Sequence, residues 1–111
     1  VAEAPLACRL DAFDAAQRER YAVLVRELAG AAAGVAELPD GFAVRFPSRP
    51  YLFLRLAEWV ELERACCPFL NIAVAFENGS AAIRLDLRGP DGVKDFLRSE
   101  LPTIAAAASP P

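Results

Sequence analysis

Two cysteines stand side by side in the run Glu63-Arg64-Ala65-Cys66-Cys67-Pro68-Phe69-Leu70, and a third, Cys8, sits near the start of the chain. The 111 residues include no histidine and no methionine, so thiolate sulfur is the one soft donor available, and also the strongest nucleophile. Sulfur ligands of this kind favour mercury, copper(I) and arsenic(III) over magnesium or calcium. Glu63 precedes the pair by three and four positions, a spacing that puts all three residues on one side of a helix. Its carboxylate could therefore act as an oxygen ligand or help to deprotonate a thiol. The competing reading of Glu63 is a partly exposed carboxylate paired with an arginine, which is the ordinary state of the residue type.

The spacing of the pair carries its own constraint. Neighbouring residues on a regular helix point about 100° apart, but Pro68 disfavours helical geometry at Cys67, and the resulting break lets both sulfurs turn toward one point. Cys8 would add a third sulfur if the N-terminal segment crosses the end of that helix. Structural zinc takes four ligands, and with no histidine present a carboxylate, a water or a second subunit would have to supply the fourth, so zinc is the second choice. A disulfide between the neighbours is disfavoured, because Cα atoms about 3.8 Å apart fall short of the usual window of roughly 4.4 to 6.8 Å.

Three readings of the sulfurs stay open. They can be small buried hydrophobes with no chemical role. They can be a metal or metalloid site comprising Cys66, Cys67, Cys8 and Glu63. They can be a redox pair, or a redox sensor, in which one thiol is oxidised and Cys8 resolves it. The end of a helix carries partial negative charge and opposes thiolate formation, which weighs on the redox reading more than on the metal one. No histidine triad, phosphate loop, Rossmann glycine pattern or CxxC motif occurs, so the residues point to a binding protein more than to an enzyme.

The elements that must position these groups follow from periodicity and turn residues. A lead-in over residues 1–10 alternates Leu6, Cys8 and Leu10 with Ala7 and Arg9, as a short extra edge strand would. Asp11 suits the N-cap of a helix running to about residue 33, Asp14 also suits its positive start, and Phe13, Tyr21, Leu24, Val25, Leu28 and Ala32 lie on its apolar side. Leu38-Pro39-Asp40-Gly41 is a turn, and Phe42, Val44 and Phe46 alternate as in a half-buried strand. A second helix is expected from Pro50, carrying Phe53, Leu56, Trp59 and Val60 inward and ending in the cysteines. Asn78-Gly79-Ser80 predicts a hairpin in which Ile72, Val74 and Phe76 pack on one face with Ile83, Leu85 and Leu87. A last helix follows Gly89-Pro90-Asp91-Gly92 and stops at Pro102.

The expected fold is thus α+β, in the order α-β-α-β-β-α. It has a three-stranded, mainly antiparallel sheet, an optional N-terminal strand, and three helices on one face. Residues 1–104 read as one domain and residues 105–111 as a low-complexity tail. The other sheet face should display Arg45, Glu77, Arg84, Asp86 and Arg88 as a charge lattice. A non-catalytic homodimeric interaction module using that face is a further functional alternative.

Composition excludes some classes. Twelve basic against fifteen acidic residues give a net charge of -3 with the arginines dispersed, the opposite of the basic patch that nucleic-acid binding requires. Hydrophobic residues make up 55%, but no stretch approaches the roughly 20 apolar residues of a spanning helix, so no membrane role is expected. Three cysteines, two of them adjacent, do not form a disulfide framework, and reduced thiols point to a cytoplasmic setting.

The run from Glu63 to Leu70 also carries a resemblance, together with Leu38-Pro39-Asp40-Gly41-Phe42-Ala43-Val44-Arg45-Phe46-Pro47 and the stretch from Leu87 to Leu97. It resembles a family of small uncharacterised bacterial proteins with an E-x-x-C-C-P-F-L motif, whose members often have an early cysteine where Cys8 stands. Some of them occur beside mercury- or other metal-resistance functions. The resemblance implies soft-metal handling and supplies no mechanism.

Overall fold

A computed structural model describes residues 6, 9–79, 81–101 and 104. After a single 3-10 turn at Leu10–Ala12, the chain forms α1 (Ala15–Ala31), β1 (Gly34–Leu38), β2 (Gly41–Pro47), α2 (Leu52–Cys66), β3 (Asn71–Phe76), β4 (Ala82–Arg88) and α3 (Val93–Glu100). The class is α+β, with three helices and a four-stranded antiparallel sheet in the order β1-β2-β4-β3.

Two sequence expectations need correction here. The fourth strand is not N-terminal: Leu6 and Arg9 lie outside any strand and a 3-10 turn follows them. It is β1, formed by residues that directly follow the end of α1. The helix stops at Ala31, Ala32 turns extended, and Pro39-Asp40 makes a two-residue connection between paired Leu38 and Gly41. Closing that hairpin pairs Val35 with Val44 and Glu37 with Phe42, and this pairing overrides the weak strand character of an alanine-rich stretch. The order is therefore α-β-β-α-β-β-α.

The second correction concerns the helix starts. Asp14, not Asp11, caps α1 in a capping box: its Oδ1 accepts from the Gln17 N–H at 2.8 Å, and Gln17 Oε1 accepts from the Asp14 N–H at 3.0 Å. Pro50 lies before α2 and not in its first turn, because Tyr51 intervenes as N-cap with φ 68 and no side-chain capping bond. Tyr51 is 72% exposed, and Phe53, expected inside, is 38% exposed and packs edge-on against Phe76, itself 61% exposed.

The crossover from β2 through α2 to β3 skips one position in the sheet, and β4 fills it. Phe42, Val44 and Phe46 on β2 and Ile83, Leu85 and Leu87 on β4 form the buried face, covered by Leu24 and Leu28 of α1, Leu56 and Trp59 of α2, and Phe96 and Leu97 of α3. Ile72 pairs with Leu87, Val74 with Leu85 and Phe76 with Ile83, so the six residues share one face as the sequence predicts. The opposite face carries the expected charges. Arg45 lies directly across from Arg84, an unfavourable pairing that Glu77 relieves by binding Arg45 at 3.0 and 3.1 Å while standing 3.9 Å from Arg84. Arg84 also meets Asp86 at 3.1 Å, and Arg88 meets Asp40 at 3.4 Å.

No helix among the described residues is long and apolar enough to cross a membrane. The expected tail at residues 105–111, the stop at Pro102 and Ser80 of the hairpin turn lie outside the described residues.

Candidate metal centre

The buried stripe of α2 runs Leu52, Leu56, Trp59, Glu63, Cys66, with alternating steps of four and three that keep one side of a helix against its neighbours. Glu63 therefore occupies a seam position where an apolar residue is the rule. It is 2% exposed and is the one charged side chain buried among the described residues. The expectation of a partly exposed carboxylate does not hold. A carboxylate taken out of water must be hydrogen-bonded or meet positive charge, and the Tyr21 hydroxyl on α1 donates to Glu63 Oε2 at 2.6 Å. So short an O–H to oxygen bond has the length of a charge-assisted one.

Tyr21 was legible in the sequence only as an apolar-side residue of α1. The signal for a further role is its type, since a tyrosine drawn into a core brings a hydroxyl that needs a partner. Its ring lies 5.6 Å from that of buried Phe13. On the outer side of the same helix pair, Arg20 grips Glu58 through two bonds of 2.8 Å, and Arg55 meets Glu27 at 2.9 Å. The hydrogen bond from Arg20 holds the Glu58 carboxyl below its usual range, and the bond to Glu58 raises Arg20 in turn. These pairs brace α1 on α2 at the turns flanking the Tyr21 contact.

At the end of α2 the chain does what Pro68 demands. Cys66 is the last helical residue. The Cys67 N–H still donates to the Glu63 carbonyl at 2.7 Å, but the backbone at Cys67 opens to φ -128 and ψ 70. The opening brings the Cys66 and Cys67 sulfurs to 3.5 Å from each other, too far for a disulfide and close enough for one shared ligand. Both cysteines are 0% exposed. A carboxylate oxygen of Glu63 and the two sulfurs all lie within 4.8 Å of one another. Three of the four residues expected at a metal site are thus brought together.

The fourth, Cys8, lies outside the described residues. Its chain neighbour Arg9 donates its N–H to the Cys66 carbonyl at 2.7 Å. Residue 9 therefore lies at the end of α2.

Compared with protein-family models, curated proteins and solved structures, the chain matches none of them.

The chemistry available to the cluster follows from its donors. Two sulfurs and one carboxylate oxygen, all on buried residues, offer a thiophilic ion a donor set shielded from water, whereas hard ions call for six or more oxygens. The open sheet face is different in kind: Arg45 and Arg88 are matched with Glu77 and Asp40 at the solvated surface, where pairs of this type contribute about 0–1 kcal/mol each, whereas Arg84 and Asp86 approach at 3.1 Å through atoms that are themselves buried.

Proposed function

We propose that this protein binds a soft metal ion or metalloid through the thiolates of Cys66 and Cys67, with Glu63 as an oxygen donor and Cys8 as a further sulfur. The observation that carries the reading is the convergence of donor atoms of the buried residues Glu63, Cys66 and Cys67 within 4.8 Å of one another. The Arg9 bond to the end of α2 supports a place for Cys8, and the resemblance to small bacterial proteins found beside metal-resistance functions supports a role in resistance or metal handling. Full burial suits retention of an ion more than turnover of a substrate. Reduced thiols suit a cytoplasmic site.

A thiol redox role draws less support from the same geometry, because reactive cysteines are partly exposed and electropositive in surroundings, and these two are sealed at a helix C-terminus. Native mass spectrometry of the reduced chain, offered Hg2+, Cu+, arsenite, Cd2+ and Zn2+ in turn, tests the proposal. Wild type should take up one soft ion, and the Cys66→Ser/Cys67→Ser double variant none. Equal uptake by both would end the proposal.

A further inference from the structure

We infer that the outer edge of β3 is a homodimer interface, at which two copies of this chain pair antiparallel about a two-fold axis at Val74 and join their four-stranded sheets into one. The interface is independent of the metal centre and uses the edge of the sheet, not its charged open face.

β1 and β3 are the two edges of the sheet, and they are built differently. On β1, Glu37 is gripped from α3 by Lys94 at 2.8 Å and Arg98 at 3.6 Å. Charge on an edge strand discourages another strand from adding to it. β3 has no such guard. Its six residues, Asn71-Ile72-Ala73-Val74-Ala75-Phe76, include no charge, proline or glycine, and among the described residues it pairs with β4 alone. An uncharged strand of that length, with a row of backbone N–H and C=O groups along its outer edge, is a template for one more strand.

The side chains beside that edge are uncovered too. The four large hydrophobics exposed among the described residues are Phe76, at the end of β3, and Tyr51, Phe53 and Leu54 at the start of α2, where the Phe53 ring packs 4.9 Å from that of Phe76. They are between 38% and 72% exposed. At roughly 200 Å2 for a large side chain, these exposures leave about 450 Å2 open on each copy and about 900 Å2 across a pair. The strand backbone and the half-buried Ile72 and Val74 bring the pair to the order of 1,200 Å2, where specific interfaces begin.

The occupant is a second copy because the strand complements itself. A two-fold axis at Val74 sets that residue against its own counterpart, Ile72 against Phe76, Ala73 against Ala75 and Asn71 against Glu77. Directly opposed residues share a face, so Ile72, Val74 and Phe76 of both copies form one apolar row on the helix side, and the alanines meet on the other. A slip by one residue sets Phe76 against Asn71, which points to the opposite face, and breaks that row. The two Glu77 carboxylates stand at opposite ends of the pair, each across from an asparagine amide, so no like charges meet. With β1 guarded by Glu37, the assembly closes at two copies.

The test is sedimentation equilibrium of the reduced 111-residue chain over roughly 1 to 100 µM. Wild type should reach twice the chain mass of 11.9 kDa. Ala73→Lys places a charge at an exposed position of β3, beside Asp86 of its own β4, and about 7–8 Å from the same lysine of the other copy. Phe76→Lys removes the ring at the rim. Each should raise the dimer dissociation constant about tenfold or more, whereas Ala36→Lys, the same kind of change at an exposed position of the other edge strand, should leave it unchanged. In the wild-type dimer the outward amides of β3 should exchange hydrogen about tenfold or more slowly than those of β1, a reading that needs no variant to fold. A monomer at the highest concentration overturns the inference. So does a dimer that both folded β3 variants leave intact, association beyond two copies, or β3 amides that exchange as fast as those of β1 in the dimer.

Discussion

The Tyr21 hydroxyl and the Glu63 carboxylate, 42 positions apart in the chain, meet at 2.6 Å between α1 and α2. That bond ties the first helix to the donor cluster and makes a carboxylate tolerable on a stripe otherwise built of Leu52, Leu56, Trp59 and Cys66.

Replacing Tyr21 with phenylalanine removes the donor and keeps the ring against Phe13. The buried carboxylate then loses one hydrogen bond, and stability should drop by about 1–3 kcal/mol in urea unfolding. A Tyr21→Phe variant as stable as wild type would show that the bond contributes nothing net.

Pro68 keeps Cys67 out of helical geometry, and with it the convergence of the two sulfurs. The Pro68→Ala variant lets α2 run on and turns the Cys67 side chain away from Cys66. Affinity for Cd2+, followed by its near-ultraviolet thiolate absorption, should fall roughly tenfold while far-ultraviolet dichroism stays native. Undiminished affinity would show that the break at Pro68 is not what aligns the pair.

Acid should weaken the fold through its surface pairs. The hydrogen bond from Arg20 holds Glu58 below the usual 4.5, and the bond from Lys94 does the same for Glu37. A carboxyl lowered in the folded state stabilises it above the unfolded value, and that stabilisation is lost as pH falls through the folded value. Urea midpoints should therefore be insensitive to these groups near neutral pH and decline below 4.5, with a shallower decline in Glu58→Gln and at high salt. An identical acid profile in Glu58→Gln would remove that pair from the account.

Gly41 begins β2 opposite Arg88 of β4, and a Cβ there would overlap the Leu87 carbonyl oxygen. Backbone atoms in a sheet cannot swing aside as a flexible side chain can. Gly41→Ala should cost about 3 kcal/mol, measured by thermal and urea unfolding, through local separation of the β2–β4 ladder. Gly30, where nothing lies within 4 Å of the same added atom, is the control: Gly30→Ala should leave stability unchanged or raise it slightly within α1.

Signals in the sequence are legible where their cause is local. The alternation of Ile83, Leu85 and Leu87, the Asn78-Gly79 turn and the stop at Pro68 each act over a few residues, and the structure carries them as expected. The strand at Gly34–Leu38 was not legible, because those residues become a strand only by zipping onto β2. Phe53 and Phe76 read as core and lie at the rim, since their burial depends on how far α2 reaches over an edge strand.

For the site, the amino-acid order alone determined the donors, two thiols at a helix end with a carboxylate one turn before them, because helix periodicity and a proline's steric demand are properties of neighbouring residues. Tertiary structure decided that Glu63 is buried and met by Tyr21, and that its oxygen joins both sulfurs within 4.8 Å. A carboxylate's burial is set by what another helix presents to it, and no window of sequence around Glu63 contains the hydroxyl that makes it tolerable.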